Sequence, residues 1–329
     1  MPSRRQFLCL SMLGSLALAP GLRAATRTQL PALRLSGPAA TVSAPLVHMV
    51  ESGALADVAA QVSFQPWRDP DQLRLLAIEG KADFLAAPSN VAATLYNRGA
   101  KLQLVNISTW GLLWLVSRSA DKKRLADFRD EEIAVPFRGD MPDIVLSQLA
   151  AMEGIALKKR YVASPVEAMQ LLIARRVDHA LLQEPAASMA LRKTKSFPLG
   201  LVAPELHRAV DLQTEWGRAF KRQDRIPQAG LIACGAMVGN AALQARVHAA
   251  YTRSLAACLA DPAAAGRLLA KHIDMITPEA AADALSTSRM ESVAARQARQ
   301  SLEFFYAQLM RHDAGLVGNK LPDDAFYGV

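Results

Sequence analysis

The chain has 329 residues, 51% of them hydrophobic and 21% charged, which is enough apolar material for one large domain or two lobes and too much for a disordered chain. Its formal net charge is +8, falling to +5 once Arg4, Arg5 and Arg23 of the first 25 residues are set aside. The remaining charges are scattered, with no basic stripe interleaved with aromatics. That excludes nucleic acid as a partner and leaves a surface mildly attractive to small anions or to an anionic membrane face.

Residues 1–25, "MPSRRQFLCLSMLGSLALAPGLRAA", have a charged start, an apolar run from Phe7 to Ala19, a breaker at Pro20 and small residues at Ala24 and Ala25. The run is too short to span a bilayer and has the proportions of a cleavable signal peptide. "SRRQFL" resembles the twin-arginine export signal; a basic start to an ordinary Sec signal is the alternative. Either one predicts a soluble protein exported to the periplasm. Cys9 stands too early for a lipoprotein anchor. Cys234 and Cys258 have no metal-ligand spacing. An oxidising compartment would permit a disulfide, but two buried thiols are the preferred reading.

Short apolar runs then alternate with helical patterns, the grammar of an α/β fold. "LRLS" (33–36) predicts a strand, 42–55 a helix and "AQVSFQPW" (60–67) a strand. Asp69 and Pro70 open the next helix as cap and first residue, which Gly80 ends. "FLAAP" (84–88) predicts a strand and 90–99 a short helix. In the middle of the chain "EEIAVPF" predicts a strand. A helix follows, with Asp140 as cap and Gly154 as stop. "KKRYVA" is a strand, Ser164, Pro165 and Glu167 stand in capping-box register, and "HALLQEP" is a strand followed by a helix. Residues 75–95 and 171–191 repeat one scheme of helix, Asp, apolar strand, Pro and Ala-rich helix, which predicts two similar α/β lobes. Residues 102–118 are too long for one average strand; with 225–238 they are candidates to cross between lobes. The expected division is 26–112 and 226–329 for the first lobe and 113–225 for the second. Asp261–Pro262 and Thr277–Pro278 start C-terminal helices, and 301–315 carries an apolar stripe. Trp216 is expected to pack at the edge of the second lobe.

The stretches "EGKADFLAAPSN", "VPFRGDMPDIV", "SPVEAMQLLIARRVDHALLQEP" and "IPQAGL", in this order and with the export signal, resemble type II periplasmic solute-binding proteins of ABC importers, in the nitrate/sulfonate/taurine and pyrimidine-precursor branch. The resemblance covers essentially the whole mature chain. It implies a two-lobed periplasmic-binding-protein fold, two crossing segments as a hinge, and a small-molecule ligand held in the cleft by a monomer. The partners it implies are permease subunits in the inner membrane and, for export, the twin-arginine machinery.

Ligands of open α/β sheets sit beyond the carboxyl ends of strands, where helix N-termini favour acceptor atoms and negative charge. Four strand ends are therefore candidates, each also readable as ordinary structure. Ser36 and Gly37 leave room for a ligand or form a plain turn. Ser89 and Asn90 offer donors and acceptors or cap the following helix. Arg138, with Gly139 and Asp140, clamps an anion or stays solvated; for Asp140 the helix cap is the preferred role. Glu184 accepts from a ligand N–H or satisfies a helix N-terminus. From the hinge, Thr109 and Trp110 could floor the cleft opposite Gln228, or pack the lobe junction. Trp67 and Trp114 fit core or rim.

No catalytic constellation stands out: HExxH, GxSxG and Walker-type phosphate loops are absent from the sequence. The histidines (48, 179, 207, 248, 272 and 312) form no metal pair, and neither a cofactor nor an enzymatic activity is expected. Fungal pyrimidine-precursor synthases share this fold class and give an enzyme alternative, but they resemble it with a Cys-rich motif that this chain lacks. A sensory module docking to a receptor is the third possibility. The charge of the ligand is left open, since Arg138 favours an anion whereas Glu184 and Asp140 favour a cation or zwitterion.

Overall fold

A computed structural model describes residues 29–196 and 205–328 of the chain. The expected export signal lies outside them. In chain order the first elements are β1 (Leu30–Gly37), α1 (Ala44–Glu51), β2 (Ala59–Pro66), α2 (Pro70–Ile78), β3 (Phe84–Pro88), α3 (Ser89–Asn97) and β4 (Leu102–Gly111). The chain then leaves this layer through Leu112. It continues as β5 (Leu113–Ser117), β6 (Glu132–Pro136), α4 (Met141–Met152), β7 (Lys158–Val162), α5 (Pro165–Ile173), β8 (His179–Gln183), α6 (Ala186–Lys195), β9 (His207–Asp211) and α7 (Leu212–Phe220). Residues 221–228 lead back to β10 (Ala229–Cys234), α8 (Ala241–Ala260), α9 (Pro262–His272), α10 (Pro278–Thr287), β11 (Arg289–Ala294) and α11 (Ala295–His312).

Helix starts follow their caps. Asp69 accepts from Gln72 N–H, Ser164 from Glu167 N–H, Asp261 from Ala264 N–H and Thr277 from Ala280 N–H, each with Pro in the first turn. Glu167 reaches back one residue further than a capping box requires, to the N–H of Ala163.

The strands form two sheets, ordered β11-β4-β10-β3-β1-β2 and β7-β6-β8-β5-β9. In each, three strands run parallel (β2-β1-β3 and β7-β6-β8). Next to them lies one antiparallel strand laid down by chain that has just crossed from the other sheet: β10 between β3 and β4, and β5 between β8 and β9. The pairing of α2-β3-α3 with α5-β8-α6 is the repeat seen in the sequence.

Alternation along β3 sorts the first lobe's core. Phe84 and Ala86 pack with α1 and α8, while Leu85 and Ala87 pack with α2, α3 and α11. In the second lobe Val116, Ala134 and Leu182 face α5 and α6, and Leu115, Val135 and Leu181 face the other way. Trp216 differs from expectation. It is 2% exposed and packs against Phe304 and Phe305 of α11, with ring centroids at 6.4 and 5.5 Å, so it joins the lobes rather than edging one of them. Cys234 and Cys258 are buried and unbonded among the described residues, and burial pushes both thiols up to about 12.

Candidate ligand cavity between the lobes

The carboxyl ends of all six parallel strands converge on one cavity of about 390 Å³, within the range of small-molecule sites. From the first lobe come Pro38 after β1, Trp67 after β2 and Pro88 at the end of β3; from the second come Phe137 after β6, Ser164 after β7 and Gln183 at the end of β8. The crossing segments contribute Leu112 and Gln228, and the turn between α9 and α10 adds Met275 and Ile276.

Ion pairs bridge the two lobes. Arg74 of α2 reaches Asp140, before α4, at 2.9 Å. Arg192 of α6 holds Asp283 of α10 through two bonds of 2.5 and 2.8 Å. Arg289 of β11 bonds Asp211 at 2.7 Å.

Of the eleven residues named from the sequence as ligand contacts, Asp140 and Gln228 lie on the cavity wall, as does Trp67, which fitted core or rim. Asp140 stands at the N-cap position of α4 but caps no N–H with its side chain, which turns to Arg74 instead. Burial lifts its carboxyl above the usual carboxylate range, against the pull of Arg74. The Gln228 side chain, 3% exposed, donates to Gln213 Oε1 at 3.2 Å, and its own Oε1 has no hydrogen-bond partner among the described residues.

The other nine candidates are not on the wall, and the reasons are local. Ser36 Oγ donates to the Gln65 carbonyl at 2.7 Å, and a side chain at Gly37 would run into Ser43, so this turn is closed by its own packing. Ser89 Oγ donates to the Pro227 carbonyl at 2.5 Å, tying α3 to the second crossing segment. Asn90 is 4% exposed, with Oδ1 unpartnered. Thr109 is buried with Oγ1 3.6 Å from the Met290 sulfur; Trp110 is buried, donates to the Glu291 carbonyl at 2.8 Å and lies under the Arg225 guanidinium, so both serve the junction. Arg138 is exposed and stacks over Tyr161, while Gly139 donates to Asp143 at 2.9 Å.

Glu184 is not a ligand contact; it fills its alternative role of satisfying a helix N-terminus, accepting from Ser188 N–H in the first turn of α6. It is 0% exposed. Its carboxylate accepts from Arg208 at 2.7 and 3.0 Å, from Ser188 N–H and Oγ at 3.1 and 2.7 Å, and from Thr287 of α10 at 3.3 Å. It is an internal anchor of the second lobe with one bond to the first. Its replacement is therefore a perturbation of stability rather than of a ligand contact.

Sequence reasoning missed the apolar wall: Leu112, Phe137, Met141, Met189 and Met275. A wall leucine or methionine has the same local pattern as a core one. The available signal was the proline opening helix after helix at the strand ends. Among the described residues no group of side chains is arranged to hold a metal ion, and no helix is long and apolar enough to cross a membrane.

No family model matches the sequence, and no curated protein matches it. Solved structures share the fold. An ABC transporter protein from Parabacteroides distasonis superposes with a TM-score of 0.74 at 21% identity, covering 90% of this chain and 98% of that one. The periplasmic aliphatic sulphonate binding protein SsuA from Escherichia coli gives 0.65 at 16%, over 90% and 99%. The periplasmic nitrate-binding protein NrtA from Synechocystis PCC 6803 gives 0.63 at 13%, over 86% and 82%. The chain thus has the two-lobed type II periplasmic-binding-protein fold, two α/β lobes joined by two crossing segments.

Proposed function

We propose that the protein is the extracytoplasmic solute-binding component of an ABC importer, which captures a small organic solute between its lobes and delivers it to a membrane permease. The observation that carries this reading is the convergence of six strand ends from two sheets on one cavity crossed by both inter-lobe connections. The shared fold with an aliphatic sulphonate binding protein and a nitrate-binding protein supports it, as does the export-signal pattern of residues 1–25. In this reading the lobes are 26–112 with 226–329, and 113–225. They rotate about Leu112 and the 221–228 segment, and the protein acts as a monomer. Asp140 and Gln228 are the polar contacts of the solute. The ion pairs Arg74–Asp140 and Arg192–Asp283 form only when the lobes are together, so they weight the closed state that a permease would read.

A thermal-shift screen of the purified protein with sulfonates, nitrate, taurine, pyrimidines, polyamines and uncharged aromatic amines tests the proposal, with small-angle scattering on any hit. A solute at a hundred times its Kd stabilises the folded state by about 2.7 kcal/mol, about 5 °C for a chain of this size. The expected result is such a shift for one chemical class, with a change in radius of gyration. A hit from no class would overturn the proposal.

A further inference from the structure

We infer that the solute is a largely apolar, ring-bearing molecule carrying a hydrogen-bond donor, neutral or protonated, and not an oxyanion such as nitrate or a small sulfonate. The inference rests on the solute-capture reading and specifies its substrate class.

Three observations carry it. The first is the scarcity of donors at the starts of α2 to α6. An anion at the mouth of an α/β sheet is held by the free N–H groups of helix N-termini. Each of the five helices α2 to α6 has a proline on the cavity wall at or next to its start: Pro70, Pro88, Pro142, Pro165 and Pro185. Proline has no N–H. A first-turn N–H of each of α2, α3, α5 and α6 is also already engaged. Gln72 donates to Asp69 (2.8 Å), Ser89 to the Gln228 carbonyl (2.8 Å), Glu167 to Ser164 (3.1 Å) and Ser188 to Glu184 (3.1 Å). The start of α4 has Asp140 beside it, a carboxyl paired with Arg74 that offers an anion no donor.

The second observation is the orientation of Gln228. Gln213 is fixed by its neighbours: its Oε1 accepts from Leu113 N–H at 3.2 Å, and its Nε2 donates to the Leu113 carbonyl at 3.2 Å and to Asp211 at 2.6 Å. That places an acceptor, Gln213 Oε1, against Gln228 and obliges Gln228 to present its Nε2 there. Its Oε1 is thereby left without a donor, in a side chain that is 97% buried on the cavity wall. An unpartnered buried carbonyl oxygen costs about 1–3 kcal/mol; a turn of the Gln228 side chain toward the cavity would let an N–H or O–H of a solute relieve that cost, where an oxyanion would aggravate it.

The third is the rest of the wall. Trp67, Phe137, Met141, Met189, Met275 and Ile276 offer flat and adaptable apolar surface from both lobes. Of the two charged residues on the wall, Asp140 is neutralised by Arg74, and Arg68 is exposed at the rim. Away from Arg68 at the rim, an oxyanion desolvated against such a wall meets no compensating side chain.

The test uses two probes with one ring skeleton. N-phenyl-1-naphthylamine is an uncharged aromatic amine with a single N–H, and 8-anilinonaphthalene-1-sulfonate adds a sulfonate to it. Both are titrated by fluorescence into the purified protein and into Met189→Trp, a half-buried wall position where a larger side chain fills the cavity. Nitrate, taurine and ethanesulfonate are titrated by calorimetry. The expected result is at least tenfold tighter binding of the uncharged amine, weakened at least tenfold in Met189→Trp, with no detectable heat from the three small anions. Equal or tighter binding of the sulfonate probe or of a small anion, itself weakened by Met189→Trp, would overturn the inferred class while leaving solute capture in place. If Met189→Trp, and Met275→Trp at the more exposed rim, change the binding of no compound, both the class and the capture reading fall.

Discussion

Replacing Glu184 with alanine separates a structural carboxylate from a ligand contact. The side chain is fully buried, and Arg208, its principal partner, keeps 22% of its own side-chain surface in water. Removing one member of a buried ion pair costs about 3–5 kcal/mol because the remaining charge is stranded. The partial exposure of Arg208 puts this case at the lower end, about 3 kcal/mol. Loss of the two bonds from Ser188 adds to it. For a chain of this size that is a fall in melting temperature of about 6 °C, measurable by differential scanning calorimetry or by circular dichroism. Glu184→Gln keeps the shape, but with its one oxygen on Ser188 its Nε2 meets Arg208 donor to donor, so it is expected to lose about as much. An alanine variant that melts within 1 °C of the parent but binds an identified solute tenfold more weakly would refute the reasoning and return Glu184 to the ligand.

Three further outcomes are expected. Gly230→Ala should cost about 3 kcal/mol or prevent folding, read as a lost or lowered thermal transition, because a Cβ there would overlap the Asn106 carbonyl at the close approach of β10 to β4. Burial holds the imidazoles of His179 and His248 below their ordinary value. A depressed histidine contributes stability that is complete above the unfolded value of about 6.5 and is lost as pH falls below it toward the folded value. Melting temperature should therefore drop between pH 7 and 5, and drop less in a His179→Gln/His248→Gln double variant; the raised Asp140 carboxyl works in the opposite direction at lower pH. Arg192→Ala should shift the lobes toward separation. The pair with Asp283 is exposed, with side chains at 49% and 38%, so the shift is worth about 0–1 kcal/mol, visible as a larger radius of gyration at low salt and vanishing as salt screens the parent.

Local chemistry made the framework legible. Asp69–Pro70, Ser164–Pro165, Asp261–Pro262 and Thr277–Pro278 each fix a helix start within a few residues, and the run 102–118 announced itself as more than one strand, which it is, with the crossing at Leu112 between β4 and β5. The strands β9 and β11 escaped because their burial is mixed along their length and their pairing is long-range: β11 lies on β4 across most of the chain. Among the candidate site residues the polar ones misled for a physical reason. A polar side chain at a strand end is attractive as a ligand contact, but Ser36, Ser89 and Glu184 find partners inside the protein, and only the three-dimensional packing reveals which. Trp216 misled similarly, since amphipathic α7 gives no hint that its apolar face meets α11.

The insertion of β10 into the middle of the first sheet has a consequence for the order of synthesis. Until residues 229–234 have emerged, β3 and β4 have no strand between them, and each shows the other an unpaired backbone edge. Roughly two thirds of the polypeptide must be made before this layer can knit together. A ribosome-bound or truncated chain ending before Ala229 therefore exposes two sticky ladders. Under the export proposed above, a route that accepts only finished, folded cargo would spare the protein that hazard, because the strand that seals the layer would be in place before transport.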